Sequence, residues 1–271
     1  MKKNILKIRY GNLWTAHRAF TINTPYLTAH GNTMDGKCPI CHMANDTAGH
    51  WLGSCDNPKF KSYYISRHNK AVCLIQETFF NGSKGGCYTI MDATAESDTP
   101  DGVARTRIPS WMLPSIPICT LLLLRPGILI IDGLTENDIV GKNLHDPIVL
   151  AEIQKSCTIH IIELGYTFEA CYTTSMAKKH MQHIRLYRSL ISAGWTVFSP
   201  NPALFNIILL GTAGTIFKPF HATMIQLGIS NHHAIDLMNK LHIHAVRFAD
   251  SIIRLRHTLE WSANCFLFDP P

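Results

Sequence analysis

The chain has 271 residues, 46% of them apolar and 16% charged, with 25 basic against 19 acidic side chains. That length and apolar fraction suit one large domain or two small ones with a real core, and they exclude disorder over the whole chain. The opening residues carry Lys2, Lys3, Lys7 and Arg9, and the most apolar run, Leu113 to Ile131, is broken by Pro114, Pro117, Arg125 and Pro126, so neither a secretory signal nor a membrane span is expected.

Nine cysteines, an odd number, argue against a disulfide framework and for metal ligation plus free buried thiols. Charge is unevenly spread. Residues 1–95 carry a net +6, residues 96–177 a net −5, and residues 178–257 a net +7 with eight histidines besides. Basic flanks around an acidic middle suit a polyanion partner, because neutralised phosphates release counterions, and an acidic centre could hold metal ions between them. An ordinary solvated surface gives the same pattern.

Residues 1–30 read as a lead-in with two short patches, Leu13, Trp14 and Phe20, then Tyr26 and Leu27. Residues 31–92 are rich in Cys, His, Gly and Asn and read as a zinc-knuckle module. Its centre is Cys38-Pro-Ile-Cys41, followed by His50 and Cys55. Two thiolates separated by two residues can bite one tetrahedral zinc, and an imidazole with a third thiolate can close the site from a following turn or helix. Four protein ligands leave no place for a reactive water, so the expected role is structural. His42 is the competing ligand to His50, although its adjacency to Cys41 strains simultaneous chelation.

Downstream, Lys59, Lys61, Arg67, His68 and Lys70 interleave with Phe60, Tyr63 and Tyr64 on an expected helix. Such a face can contact phosphates and stack on bases, while Tyr64, Ile65, Val72 and Ile75 can serve as a core face. Residues 93–119, with four prolines between Ala93 and Pro117, read as a linker. Residues 120–271 read as an α/β (α+β) domain: strands at Leu121–Leu124 with Ile128–Ile131 and at Thr158–Gly165, a helix over Met176–Ala193, strands at Trp195–Phe198 and Ile207–Leu210, then helices. The first of these helices is expected to bury Met181, Ile184, Tyr187, Leu190 and Ile191. The last, capped by Ser230, is expected to bury Ile235, Met238, Leu241, Val246, Ile252 and Leu255, and carries Lys240, Arg247, Arg254 and Arg256 as further phosphate contacts. Gly211-Thr-Ala-Gly214 lacks the ending of a phosphate loop and reads as a turn.

Taken together, Gly11-Asn-Leu-Trp14, Cys38-Pro-Ile-Cys41 with His50-Trp-Leu-Gly-Ser-Cys55, and Ile65-Ser-Arg-His-Asn69 resemble the segment that follows the polymerase domain of non-LTR retrotransposon reverse transcriptases. There a Cys-Cys-His-Cys knuckle precedes a restriction-like endonuclease domain. Leu124-Arg-Pro-Gly127-Ile-Leu-Ile-Ile-Asp132, Ile159-His-Ile-Ile-Glu163-Leu-Gly-Tyr166 and Lys178-Lys179-His180 resemble that domain, so the likeness spans about residues 11–260. It implies a structural Zn²⁺, a DNA or RNA partner, a nuclear location, and association with the element RNA or with the polymerase part. The chain has no Tyr/Phe-x-Asp-Asp motif, so it reads as a C-terminal piece or a decayed copy, and reverse transcription does not carry over.

The resemblance also implies a nuclease centre. Such sites use a Pro-Asp, a carboxylate on the next strand and a nearby Lys to hold Mg²⁺ and stabilise the transition state. Here the second carboxylate is Glu163 and the lysine Lys178 or Lys179, but the Pro-Asp is Pro126-Gly127. Glycine gives a metal no oxygen, so cleavage is expected to be impaired, and an aspartate restored at 127 is expected to rescue it. Asp132 is a poor substitute: five residues of strand span about 17 Å, and the odd offset turns it to the opposite face. The rival expectations are an active Mg²⁺-dependent DNA endonuclease using another carboxylate, and a nonfunctional remnant.

Overall fold

The computed structural model describes residues 35–82, 87–91, 107–121, 126–199 and 206–265, together with positions 15, 21, 27–28, 31–32 and 124. The expected patches at Leu13, Trp14, Phe20 and Tyr26 lie outside the described residues. Leu27–Thr28 (β1) and Gly31–Asn32 (β2) form a short antiparallel pair ahead of the cysteine-rich segment. Two helices follow, α1 at Ala48–Gly53 and α2 at Pro58–Gly82. Asn57 starts α2 by accepting from the Lys59 amide at 3.0 Å, just ahead of a proline in the first turn.

A five-stranded mixed sheet organises the rest. Its strands are β3 (Tyr88–Met91), β4 (Ile128–Asp132), β5 (Thr158–Thr167), β6 (Thr196–Phe198) and β7 (Asn206–Gly211). The central strand β5 pairs antiparallel with β4, Ile128 facing Ile162 and Asp132 facing Thr158. Along its other side run β6 and then β7, both parallel to it, with Glu163 opposite Ile207. Parallel pairs need a crossover. Between β5 and β6 it is α6 (Tyr172–Ser192). Short helices at Ile118–Leu121 (α3) and Glu136–Ile139 (α4) and the longer α5 (Pro147–Ser156), capped by Asp146, fill the earlier connections. Helix α7 (Pro219–Gln226) leads to α8 (Asn231–Cys265), which starts as expected at Ser230, whose hydroxyl accepts from the His233 amide. Among the described residues no helix is long and apolar enough to cross a membrane.

Strand alternation sends one set of side chains to each face of the sheet. Leu129, Ile131, Ile159, Ile161, Ile207 and Leu209 pack with α5, α6 and Trp195. Ile128, Ile130, Ile162, Leu164, Ile208 and Leu210 pack with α2, α7 and α8. Both faces are covered, which is why these strands read as nearly unbroken apolar runs. The fold is mixed α+β with the sheet between two helical layers.

Several expectations change. Leu121 ends the short helix α3 rather than opening a strand, and Leu122 and Leu123 lie outside the described residues. The segment read as a linker contributes Ile108, Trp111, Met112 and Leu113 to the core, where the Trp195 indole N–H donates to the Met112 carbonyl at 2.8 Å. Its prolines stop regular structure without making it solvent-exposed. The residues read as a separate knuckle module supply β3 to the sheet and Ala71, Val72, Ile75 and Phe79 of α2 to its second face. Hydrogen bonding and core thus cross the expected boundary at residue 92. On α6 the buried stripe is His183, Leu186 and Leu190, while Met181 and Ile191 are exposed. On α8 it is Ala234, Leu237, Leu241, Ala245, Ala249 and Ile252, with Ile235 exposed. The small residues Ala245 and Ala249 leave room for a close neighbour, and α2 takes it.

Candidate metal centre and its surroundings

Cys38-Pro-Ile-Cys41 turns back on itself. The Cys38 amide donates to the Ala44 carbonyl and the His42 amide to the Cys38 carbonyl, both at 2.8 Å. His42 takes φ 58°, the left-handed conformation that lets the knuckle close. Helix α1 is started by Thr47, whose hydroxyl accepts from the His50 amide at 3.1 Å, and its first turn faces His50 toward the knuckle. Cys55 follows just beyond its end. The ligand atoms of Cys38, Cys41, His50 and Cys55 all lie within 4.8 Å of one another, and Cys41 Sγ is 3.2 Å from His50 Nε2.

These four residues are positioned to hold a metal ion. Tetrahedral zinc with Zn–S bonds of about 2.3 Å requires ligand separations of roughly 4 Å, and three sulfurs with one imidazole match its preferred donors. The Cys38 thiol is lowered to about 4, first by a hydrogen bond with Cys55 and then by the Cys41 and Ile40 amides, against the opposing effect of burial. Cys55 is raised by its bond with Cys38 and by burial. The cage therefore already favours one thiolate, the form that binds a metal. His42 is exposed and stands outside the group.

The cage rests on a core of its own, in which Trp51, Leu52 and Phe60 pack with Ala249, Ile252 and Ile253 of α8. Beneath it Asp46 and Arg256, both almost fully buried, pair at 2.9 Å, and the guanidinium lies over the Trp51 ring at 5.5 Å. Arg256 is thus a structural latch, which corrects the expectation that it contacts phosphate. Arg67 is likewise only 2% exposed, its Nη1 donating to the Leu52 carbonyl at 3.0 Å and its guanidinium 4.1 Å from the centre of the Tyr166 ring. A duplex lying on the surface cannot reach it. Sequence alone gives both arginines a surface charge because their partners, Asp46 and Tyr166, are far away along the chain.

The other basic residues stay on the surface. Helices α2 and α8 run antiparallel, with Tyr63 edge-on to Phe248 and His244 Nε2–H donating to the Arg67 carbonyl at 3.0 Å. Burial lowers the His244 pKa, and the nearby charges of Arg67, Lys70 and Arg247 lower it further. Lys70 and Arg247 therefore flank one seam. They and Lys59 are exposed and, among the described residues, make no ion pair. Lys61 pairs with Asp56, Lys240 with Asp236 and Arg254 with Asp250. His68 is half-buried.

Glu163 is 1% exposed on the α6 side of the sheet. One carboxylate oxygen accepts from His183 Nδ1 at 2.9 Å and from the Gly127 amide at 3.1 Å, and the other lies 3.8 Å from Lys179 Nζ. Gly127, Glu163 and Lys179 thus come together, while Lys178 projects to solvent. Asp132 lies beside His160 on the other face, as its odd offset requires. A Cβ at Gly127 would sit 2.8 Å from the Ile162 carbonyl oxygen and 3.1 Å from the Leu164 nitrogen. Both are backbone atoms of a central strand, so the expected rescue by an aspartate at this position is corrected: there is no room for it. In the sequence His183 is marked only by its spacing of four from Lys179, which puts the two on one helix face. Among the described residues the Cys/His cage is the only group arranged to hold a metal, and no second carboxylate joins Glu163.

Fold and site together define a mixed α+β protein with a Cys3His candidate metal centre braced by its longest helix. Compared with models of known families, with curated proteins and with solved structures, the chain matches none.

Proposed function

We propose that this is a zinc-stabilised nucleic-acid-binding protein, of a kind with the C-terminal region of non-LTR retrotransposon reverse transcriptases, whose restriction-like centre no longer cleaves efficiently. The observation that carries the binding role is the seam between α2 and α8. Lys70 and Arg247, 177 positions apart, flank the same His244, and Lys59 extends the unpaired positive charge along α2 toward the cage. The cage fixes the start of α2 and braces α8, which makes zinc the scaffold of the basic surface rather than a reagent. The order of strands and helices around Glu163, with Lys179 on the following helix, supports the restriction-like reading. A nuclear location and a DNA or RNA partner belong to the same reading.

Loss of cleavage follows from the surroundings of Glu163. Its oxygens face a histidine, a lysine and a backbone amide. Mg²⁺ keeps most of its waters and needs anionic anchors. A single carboxylate held by protein donors offers it little, which disfavours an active Mg²⁺ endonuclease. The test is DNA and RNA binding measured against salt. Affinity should fall with log salt, and Lys59→Gln, Lys70→Gln and Arg247→Gln should each reduce the duplex slope by about 0.9. Binding that ignores salt, or a triple variant with the parent slope, would remove the reading.

A further inference from the structure

Between α2, the C-terminal half of β5 and α6 lies a groove of about 350 Å³, lined among others by Tyr64, Arg67, His68, Tyr166, Lys178 and Gln182. None of the described residues lining it is acidic. Lys179 also borders it, but its ammonium faces Glu163 at 3.8 Å and so screens that carboxylate from the groove.

Arg67 is the unusual member. Its side chain is almost wholly buried, yet among the described residues it meets no carboxylate. Its contacts are one backbone carbonyl and the rings of Tyr166 at 4.1 Å and Tyr64 at 5.6 Å. Among the described residues its Nε–H has no hydrogen-bond partner, and neither has the Tyr166 hydroxyl. A buried cation is normally paired, and the faces of two aromatic rings compensate only part of its lost hydration. Burial lowers the Arg67 pKa, the sign of a charge held without its counterion. Guanidinium, phenol and the exposed ammonium of Lys178 around a groove without carboxylates form a donor set for one kind of ligand. That ligand is a tetrahedral oxyanion, which accepts several charge-assisted hydrogen bonds at once.

We infer that this groove binds a phosphate group, the terminal phosphate of a nucleic-acid strand, with Arg67 and Lys178 supplying charge and Tyr166 a hydroxyl donor. The volume lies at the small end of ligand pockets, so it takes one nucleotide unit and excludes a duplex. The strand as source rests on the nucleic-acid reading above; the phosphate chemistry does not. The seam would hold the body of the nucleic acid while the groove captures its end.

The experiment titrates the full chain, zinc-loaded, with inorganic phosphate, with a short 5′-phosphorylated DNA strand and with the same strand lacking the phosphate. Calorimetry and the ¹⁵N-arginine Nε–Hε signals provide the readouts. The Arg67 signal, assigned with Arg67→Lys, should shift saturably with inorganic phosphate. The phosphorylated strand should bind about tenfold tighter than its unphosphorylated twin, the worth of one charge-assisted contact set. Lys178→Gln and Tyr166→Phe, which leave the fold's buried bonds intact, should abolish that preference. Lys70→Gln on the seam should weaken both strands equally and keep it. A silent Arg67 signal with inorganic phosphate, or a preference untouched by both groove variants, overturns the proposal. Saturable phosphate binding without a preference between strands overturns the strand as its source. Phosphate binding in a protein that binds no DNA or RNA overturns the nucleic-acid reading instead.

Discussion

Gly127 and Glu163 show how much a single position can decide. The glycine amide donates to the carboxylate at 3.1 Å, and the hydrogen that stands in place of a Cβ faces the backbone of β5. Gly127→Asp should therefore lower stability by roughly 1–3 kcal/mol, as overpacking does, and should confer no plasmid nicking with Mg²⁺ or Mn²⁺. Chemical denaturation and a nicking assay on the same preparation measure both; restored nicking would show that β4 can shift to admit a second metal ligand. The buried pair Asp46–Arg256 is the opposite case, since side chains far apart in sequence complete one another. Asp46→Ala removes the carboxylate that the buried Arg256 guanidinium meets at 2.9 Å and should cost about 3–5 kcal/mol, read as a lower denaturation midpoint without a change in slope.

At the scale of the element, the seam of α2 and α8 joins charge to stability. His244 sits there with a folded-state pKa below its ordinary 6.5, chiefly through burial. The unfolded chain then takes up the proton more readily, so the contribution of His244 is complete above about 6.5 and is lost as pH falls below that value through the lower folded-state pKa. His244→Gln should flatten this part of the stability profile below about 6.5, measured by denaturation at stepped pH. The strands at 128–132, 158–167 and 206–211, the long helices α2, α6 and α8 and the Ser230 cap were legible from apolar runs, period and turn residues, while the shorter α4 and α5 were not. The faces of α6 and α8 were not. Large apolar side chains such as Met181 and Ile235 mislead where Ala245, Ala249 and His183 take the interior, because the partner sets which face is buried and lies elsewhere in the chain. The four ligands were legible because their spacing is local. The fates of Arg67 and Arg256 were not, because burial is decided by tertiary packing.

Over the whole molecule, the metal cage, the sheet and the two long helices share cores rather than forming beads on a string. Cys38→Ser, or a chelator strong enough to strip zinc, should remove the metal and melt α1. The loss should spread into α8, which packs against the same Trp51 and Leu52. Elemental analysis of the purified chain, with helical signal and melting temperature before and after chelation, checks this; an unchanged melt would show that the cage is ornamental. The Asp46–Arg256 latch closes a span of 210 residues. During synthesis the knuckle leaves the ribosome well before the helix that completes its underside. At about 5–20 residues per second, the wait is of the order of ten seconds or more. Through that interval Asp46, Trp51 and Leu52 lack their roof, and a metal ion held by Cys38, Cys41, His50 and Cys55 would be what keeps the segment in shape. Early ion capture would then govern yield in the cell more than final stability does, so cells starved of zinc should accumulate aggregated chains even where mature protein, once made, survives.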